Sequence, residues 1–326
     1  MNRRAFISLV GGAAAPALAW PRVARAQQLA GRVPRIGWLQ PTRNENVEMF
    51  LQGLRDAGYI EGRNALIEMR VYGTALDRLP DLASELIALK CDVIFAAAPY
   101  AIEAATRATS AIPIVAVDME SDPVASGWVR SLSRPGGNLT GWFLDLPELG
   151  GKQIELLKEA VANLSRLAVL WDSTIGAVQF RATEAAARAA GVALRSLPIQ
   201  RLEDFQGAFD LAVREQVQGM VVLSSPLILN QRSQIAELAT RSRIPTISLF
   251  TLFPRSGGLM AYGPNLPDMY KRAAGYVDRV LKGATVGELP IERPSRFDLV
   301  VNLKSAKALG LTIPESFLVR ADEVIE

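Results

Sequence analysis

The strongest constraint on this chain is a rhythm. Short, nearly unbroken apolar runs alternate with stretches of helical periodicity, and the whole alternation occurs twice. In the first half the runs are Arg35-Ile-Gly-Trp-Leu, 65–72, 93–98 and 114–117, with helical patterns at 46–57, at 76–89 and after 98. In the second half they are Arg166-Leu-Ala-Val-Leu, 192–199, 220–224 and 246–250, with helical patterns at 177–190, at 203–216 and before 246. A strand that is apolar along its whole length has no face to offer water, so it belongs to a sheet covered on both sides. Helices between such strands bring the chain back parallel. The expected fold class is therefore α/β: two doubly wound parallel-sheet lobes joined by a hinge.

The two halves share landmarks at a nearly constant spacing. Arg166 follows Arg35 by 131 residues, Ala190-Gly191 follows Ala57-Gly58 by 133, Ser225-Pro226 follows Ala98-Pro99 by 127, and Ile244-Pro245 follows Ile112-Pro113 by 132. Generic α/β punctuation could give part of this register; two like-built lobes account for all of it. The turn at Arg134-Pro-Gly-Gly-Asn, the segment Ser256-Gly-Gly-Leu-Met-Ala-Tyr-Gly-Pro-Asn and the stretch after Leu289-Pro-Ile are the expected crossings. They divide the chain into lobe one (33–140 plus 262–298) and lobe two (141–261 plus 299–326).

Composition removes much of enzyme chemistry. The chain has 326 residues, no histidine and one cysteine, Cys91. Ser-His-Asp and Cys-His catalysis, Cys/His zinc sites and intramolecular disulfides are thereby excluded. Cys91 reads as a small buried thiol. The 33 acidic residues show no spacing that singles out an acid–base pair or a carboxylate metal cluster, and no Gly-x-Gly-x-x-Gly follows the first strand. No catalytic residue, metal or cofactor is assigned.

The first 26 residues read as an export signal. A charged start with Arg3-Arg4 and Phe6 precedes a weakly apolar middle and the small-x-small site Ala24-Arg25-Ala26, a pattern similar to the twin-arginine type. An ordinary secretory signal fits the same residues. Cleavage after Ala26 removes four arginines and no acids, leaving 32 basic against 33 acidic residues, or −1. That near-neutral mature surface gives no reason to expect nucleic acid or anionic membrane as a partner. Mean hydropathy is +0.16, and no apolar run reaches the roughly 18 residues a spanning helix needs. The mature protein is expected to be periplasmic, soluble and monomeric.

Parallel α/β sheets bind ligands beyond the carboxyl ends of their strands, where loops and helix N-termini converge with free backbone donors. Those ends nominate Gln40, Thr42, Pro99, Tyr100, Asp118 and Asp122 in the first half, and Trp171, Asp172, Ser173, Ser224, Ser225 and Phe250 in the second, with Tyr262 on a crossing. Trp171 and Tyr100 offer flat apolar faces, the hydroxyls and Gln40 offer hydrogen bonds, and Asp118 or Asp172 could meet an ammonium group. The mixture suits a small polar or zwitterionic ligand. Any one of these side chains could instead serve as a turn or cap residue.

A set of linked motifs adds to this reading: Gly53-Leu-Arg-Asp-Ala-Gly-Tyr-Ile-Glu-Gly-Arg-Asn, Asp77-Arg-Leu-Pro-Asp-Leu-Ala, Ala111-Ile-Pro-Ile-Val, Ser133-Arg-Pro-Gly-Gly-Asn-Leu-Thr-Gly, Gly258-Leu-Met-Ala-Tyr-Gly-Pro-Asn and Leu303-Lys-Ser-Ala-Lys-Ala-Leu-Gly-Leu. Together, over about residues 33–326, they resemble the ABC-transporter substrate-binding family typified by tryptophan-binding TrpX-like proteins. The resemblance implies the type I periplasmic binding protein fold with three crossings, a membrane permease and its ATPase as partners, and aromatic amino acids as the ligands of characterised relatives. The expected function is capture of a small molecule by hinge closure, without chemistry. The alternatives are a hydrolase or isomerase on the same scaffold, which a perturbed carboxylate pair in the cleft would favour, and a ligand-sensing partner of a signalling receptor.

Overall fold

In the computed structural model two separate sheets account for the two halves of the sequence rhythm. The structure describes residues 32–144 and 148–326; the export segment 1–26 lies outside the described residues. The first sheet is built from β1 (Arg35–Gln40), β2 (Leu66–Val71), β3 (Val93–Ala97), β4 (Ile114–Asp118) and β5 (Leu139–Phe143), in the order β2-β1-β3-β4-β5 with every pair parallel. All five residues of β3 and all five of β4 are buried, as apolar strands sandwiched between helices must be.

One face of this sheet carries α1 (Glu45–Asp56); the other carries α2 (Leu79–Ala88) and α3 (Pro99–Ala108). Helix α1 starts where Asn44 accepts a 3.1 Å bond from the Asn46 N–H, followed by Glu45 and Glu48 in the first turn. Its inward stripe is Val47, Phe50 and Leu54. Phe50 stacks on Phe95 at 4.2 Å, and both rings pack against Trp38. Such aromatic pairs add about 0.5–1.5 kcal/mol each beyond the area they bury.

The second sheet is larger. Its strands are β6 (Arg166–Asp172), β7 (Ala193–Ile199), β8 (Gly219–Val222), β9 (Thr246–Ser248), β10 (Met260–Pro264), β11 (Phe297–Asn302) and β12 (Glu323–Ile325), ordered β12-β11-β10-β9-β8-β6-β7. Among the described residues only β10 and β11 pair antiparallel. Helices α4 (Glu148–Ala160), α5 (Ala177–Ala189), α6 (Asp204–Arg214), α7 (Pro226–Asn230) and α8 (Arg232–Arg241) connect and cover it, with the short helix α9 (Leu252–Arg255) leading into β10.

The chain then returns to the first sheet as α10 (Leu266–Leu281), opened by Asn265 accepting from the Asp268 N–H at 2.9 Å. Helix α10 lies along α1 so closely that a Cβ on Gly53 would stand 2.5 Å from the Lys271 carbonyl oxygen and 2.7 Å from the Ala274 Cβ. Tyr270 closes the aromatic cluster, edge-on to Phe95 at 5.5 Å. After β11 the chain ends in α11 (Leu303–Ala308), α12 (Glu315–Leu318) and β12.

The hydrogen-bond ladders assign β5 whole to the first sheet, and β10 and β11 whole to the second. Boundaries at 140/141, 261/262 and 298/299 would cut through those three strands. β5 ends at Phe143 and β10 at Pro264, and β11 begins at Phe297. At β5 the fit to its neighbour is local: Gly141 has φ +140° and leaves no room for a Cβ, which would stand 2.0 Å from the Ala116 carbonyl oxygen. Gly141 thus lets β5 lie tightly against β4.

Candidate functional site

The carboxyl ends of the two sets of parallel strands face each other. One buried apolar cluster runs between them without a break, from Trp38 and Phe95 through Met119, Leu144 and Leu249 to Phe209 and Met220. Polar bridges span the same gap. The Tyr100 hydroxyl, at the start of α3, donates to Thr174 Oγ1 at 2.6 Å, and Gln179 Nε2, on α5, donates to the Met119 carbonyl at 3.2 Å. The Ser224 hydroxyl donates to Glu120 Oε1, and both residues are buried. The Ser224 N–H in turn donates to Gln179 Oε1 at 3.1 Å.

Two cavities flank this bridge. A hinge-side cavity of about 100 Å³ lies among Leu144, Leu149, Gln153, Val178, Gln179 and Leu249. A strand-end cavity of about 50 Å³ lies among Thr42, Asn46, Ala98, Phe250 and Tyr270. Met119 and Glu120 line both. The wall at Ala98 is strained: a non-glycine residue with φ +74° and ψ 157° begins α3 beside the strand-end cavity.

The nominated residues divide into three groups. Thr42 and Phe250 line the strand-end cavity, Asp122 lines the hinge-side cavity, and Tyr100 and Ser224 make inter-lobe bonds. Asp118 lies next to them at the end of β4, where its Oδ1 accepts from the Glu120 N–H at 3.0 Å while its buried Oδ2 has no partner. Pro99 is buried in the first turn of α3.

A second group is committed within its own half. Ser225 caps α7 by accepting from the Ile228 N–H at 3.1 Å, and Asp172 Oδ1 accepts from the Thr174 N–H at 3.0 Å. Ser173 donates to the Ile199 carbonyl at 3.3 Å. Gln40 is buried, its Nε2 3.6 Å from Met69 Sδ.

The third group lines neither cavity. Trp171 stacks on Phe180 at 4.5 Å and donates from Nε1 to Ser196 Oγ at 2.9 Å. Tyr262 stacks on Phe297 at 5.9 Å.

The sequence reading did not single out Glu120, Asn46, Gln179 or Tyr270. Glu120 was legible as a strand-end carboxylate two residues beyond Asp118. Asn46 sits in the first turn of α1 and Tyr270 in the second turn of α10, positions that ordinarily read as cap and core.

Burial, first, and the neighbouring Asp118 charge, second, push the Glu120 carboxyl well above its ordinary value of 4.5. Burial likewise raises Asp118. Tyr72, beyond β2, and Tyr270, on α10, face the same pair, and burial raises both phenols, keeping them neutral.

A raised carboxyl makes the folded, ligand-free protein bind more protons than the unfolded chain. Glu120 therefore stabilises fully below its unfolded value, and this contribution is lost as pH rises through the elevated folded value. Across that window the ligand-free wild type is expected to lose Tm relative to Glu120→Gln, at about 2–4 °C per kcal/mol for a chain of this size. Thermal melts of both proteins across the pH series check this; parallel Tm profiles contradict it.

Among the described residues no group of three His, Cys, Asp or Glu side chains could hold a metal ion, and no helix is long and apolar enough to cross a membrane. Two facing α/β sheets, three connections and a buried polar seam between strand ends define a type I periplasmic binding protein architecture.

Residues 39–325 match the model of the family described as ABC transporter substrate binding protein, and the chain belongs to that family. A tyrosine-binding protein of Clostridioides difficile (strain R20291) is 24% identical over 282 residues, covering 83% of this chain and 78% of that protein. Among solved structures, a conserved domain protein from Vibrio cholerae superposes with a TM-score of 0.83 at 24% identity, over 90% of this chain and 100% of the other. The ABC domain in complex with L-Trp from Streptococcus pneumoniae gives 0.82 at 24% identity over the same shares. The ligand-free, open structure of a substrate-binding protein with adhesive properties from Clostridium difficile gives 0.67 at 24% identity, over 90% and 99%. The family consists of substrate-binding proteins and not of enzymes.

Proposed function

We propose that the mature protein is the periplasmic component of an ABC importer and captures an amino acid or related small polar molecule by closing its two lobes. Residues 1–26 direct export and are removed after Ala26. The lobes are 33–143 with 265–292, and 148–264 with 297–326; the monomer delivers its ligand to a membrane permease driven by an ATPase. One observation carries the reading: hydrogen bonds from Tyr100, Gln179 and Ser224, the last of them buried, join strand ends of the two sheets around cavities that both halves line. A ligand touching both halves binds the closed arrangement better than the open one, and that difference shifts the population.

The comparisons support it. At equal identity the chain superposes better on the complex with L-Trp than on the ligand-free, open relative. The Tyr- and Trp-binding relatives supply the amino-acid expectation.

Native mass spectrometry of protein purified from its own periplasm tests the reading. A co-purifying small molecule, released on unfolding and rebinding stoichiometrically, is the expected result. Protein that arrives empty and ignores a broad panel of amino acids and small metabolites in calorimetry would refute it.

A further inference from the structure

The strand-end cavity has a carboxylate in its wall and, among the described residues, no cationic side chain. Glu120 lines it from just beyond β4 and Asn46 from α1, and the Asn46 Oδ1 is buried without a hydrogen-bond partner. Asn46 is 1% exposed. A buried acceptor left open costs about 1–3 kcal/mol unless something donates to it.

Two aromatic rings, Phe250 and Tyr270, close the same space, and their faces attract cations. Just behind Glu120 the Asp118 Oδ2 is a second acceptor with no partner. Against these acceptors, no lysine or arginine lines either cavity among the described residues. The strand-end volume of about 50 Å³ exceeds the roughly 10–15 Å³ needed for one water. It is the size of an ammonium head group. The larger hinge-side cavity, with Leu144, Leu149, Leu223 and Leu249 in its wall, has room for an apolar group.

We propose that this protein recognises its ligand by an ammonium group seated between Glu120, Asn46 Oδ1 and the rings of Phe250 and Tyr270, and makes no matching provision for a carboxylate. The ligand class is an organic amine with an apolar arm, and a zwitterionic amino acid binds through its amine alone. This rests on the capture function proposed above. The ammonium supplies donors to the open acceptors and favours the ionised form of Glu120, so binding selects cations. The apolar arm gains from leaving water and sets the size preference.

Matched trios separate the charges: tyramine, L-tyrosine and 3-(4-hydroxyphenyl)propionate; tryptamine, L-tryptophan and indole-3-propionate; isopentylamine, L-leucine and 4-methylpentanoate. Each is titrated calorimetrically into the mature protein after unfolding and refolding to remove carried ligand. In at least one trio the amine is expected to bind within about threefold of the zwitterion or tighter, and the carboxylate about 100-fold more weakly than either. Glu120→Gln, checked by thermal melting to be folded, is expected to lose about 30-fold for the amine near neutral pH. If that variant does not fold, the trios alone decide.

A zwitterion that outbinds its amine by about tenfold means a carboxylate is also recognised, and overturns the proposal. So does equal binding by the deaminated carboxylate. Capture of only uncharged or anionic compounds in a wider panel overturns the proposal but leaves the capture function standing. Failure to bind anything overturns both.

Discussion

Replacing Ser224 by phenylalanine is expected to weaken ligand binding about 100-fold while leaving each lobe folded. Ser224 is fully buried at the end of β8, where its hydroxyl reaches Glu120 on the opposite lobe. A phenyl ring there wedges the strand ends apart. Overpacking of this kind costs about 1–3 kcal/mol. In an open arrangement the same ring meets solvent, so nearly all the cost falls on the closed form. Because a ligand that bridges the lobes needs the closed form, the apparent Kd rises by the factor by which closure is disfavoured, and each 1.4 kcal/mol is about tenfold. Calorimetric titration of the co-purified ligand into wild type and variant measures the difference. An unchanged Kd would mean that the Ser224–Glu120 contact is not part of the ligand-bound state.

The largest stability effect is expected at Gly53→Val. No side chain fits between α1 and α10 at this point, since the first added carbon already meets the Lys271 carbonyl oxygen and the Ala274 Cβ. Both neighbours belong to one rigid helix, so α10 must move as a unit. That movement draws Tyr270 away from Phe95 and loosens the cluster with Trp38 and Phe50. The expected loss is about 3 kcal/mol, or roughly 6–12 °C in Tm. Gly207, on the exposed side of α6, is the control: nothing lies within 4 Å of its missing Cβ. Gly207→Ala is expected to be neutral or to stabilise by up to about 1 kcal/mol through helix propensity. Calorimetric melting of the three proteins gives the comparison, and a Gly53→Val protein that melts with wild type would show that the helix pair is not close-packed.

The architecture was legible because parallel strands buried on both faces leave an unmistakable trace. The continuous apolar runs at β3, β4 and β8 cannot be amphipathic surface elements, and the helical patterns between them force parallel pairing. Exchange points were harder to place. Glycine-rich sequence marks where a chain turns or lies close, and residues 134–141 do both: Gly136 and Gly137 lie in the turn while Gly141 lets a strand lie against its neighbour.

The site was only partly legible, for a geometric reason. A residue at a strand end continues the alternation of faces, so it points toward one layer of helices as readily as into the cleft. Trp171 shares a face with Val169 and packs in the same cluster, where Phe180 and Ser196 take its ring and its N–H. Tyr262 is held by the same rule, in a strand stacked against Phe297. Glu120 lay in the strand-end segment 118–120 but was not nominated, because its significance depends on a partner 104 residues away on the other sheet. Asn46 and Tyr270 depend on which turn of a helix reaches the cavity, which periodicity alone does not fix.

The central claim is that the two lobes are separate bodies held together by what lies between them. Small-angle X-ray scattering from the mature protein, stripped of ligand and then saturated with the molecule that co-purifies, tests it most directly. The account predicts a larger radius of gyration for the stripped protein and a contraction on adding ligand, with Ser224→Phe remaining expanded in both conditions. Identical scattering with and without a stoichiometrically bound ligand would contradict it.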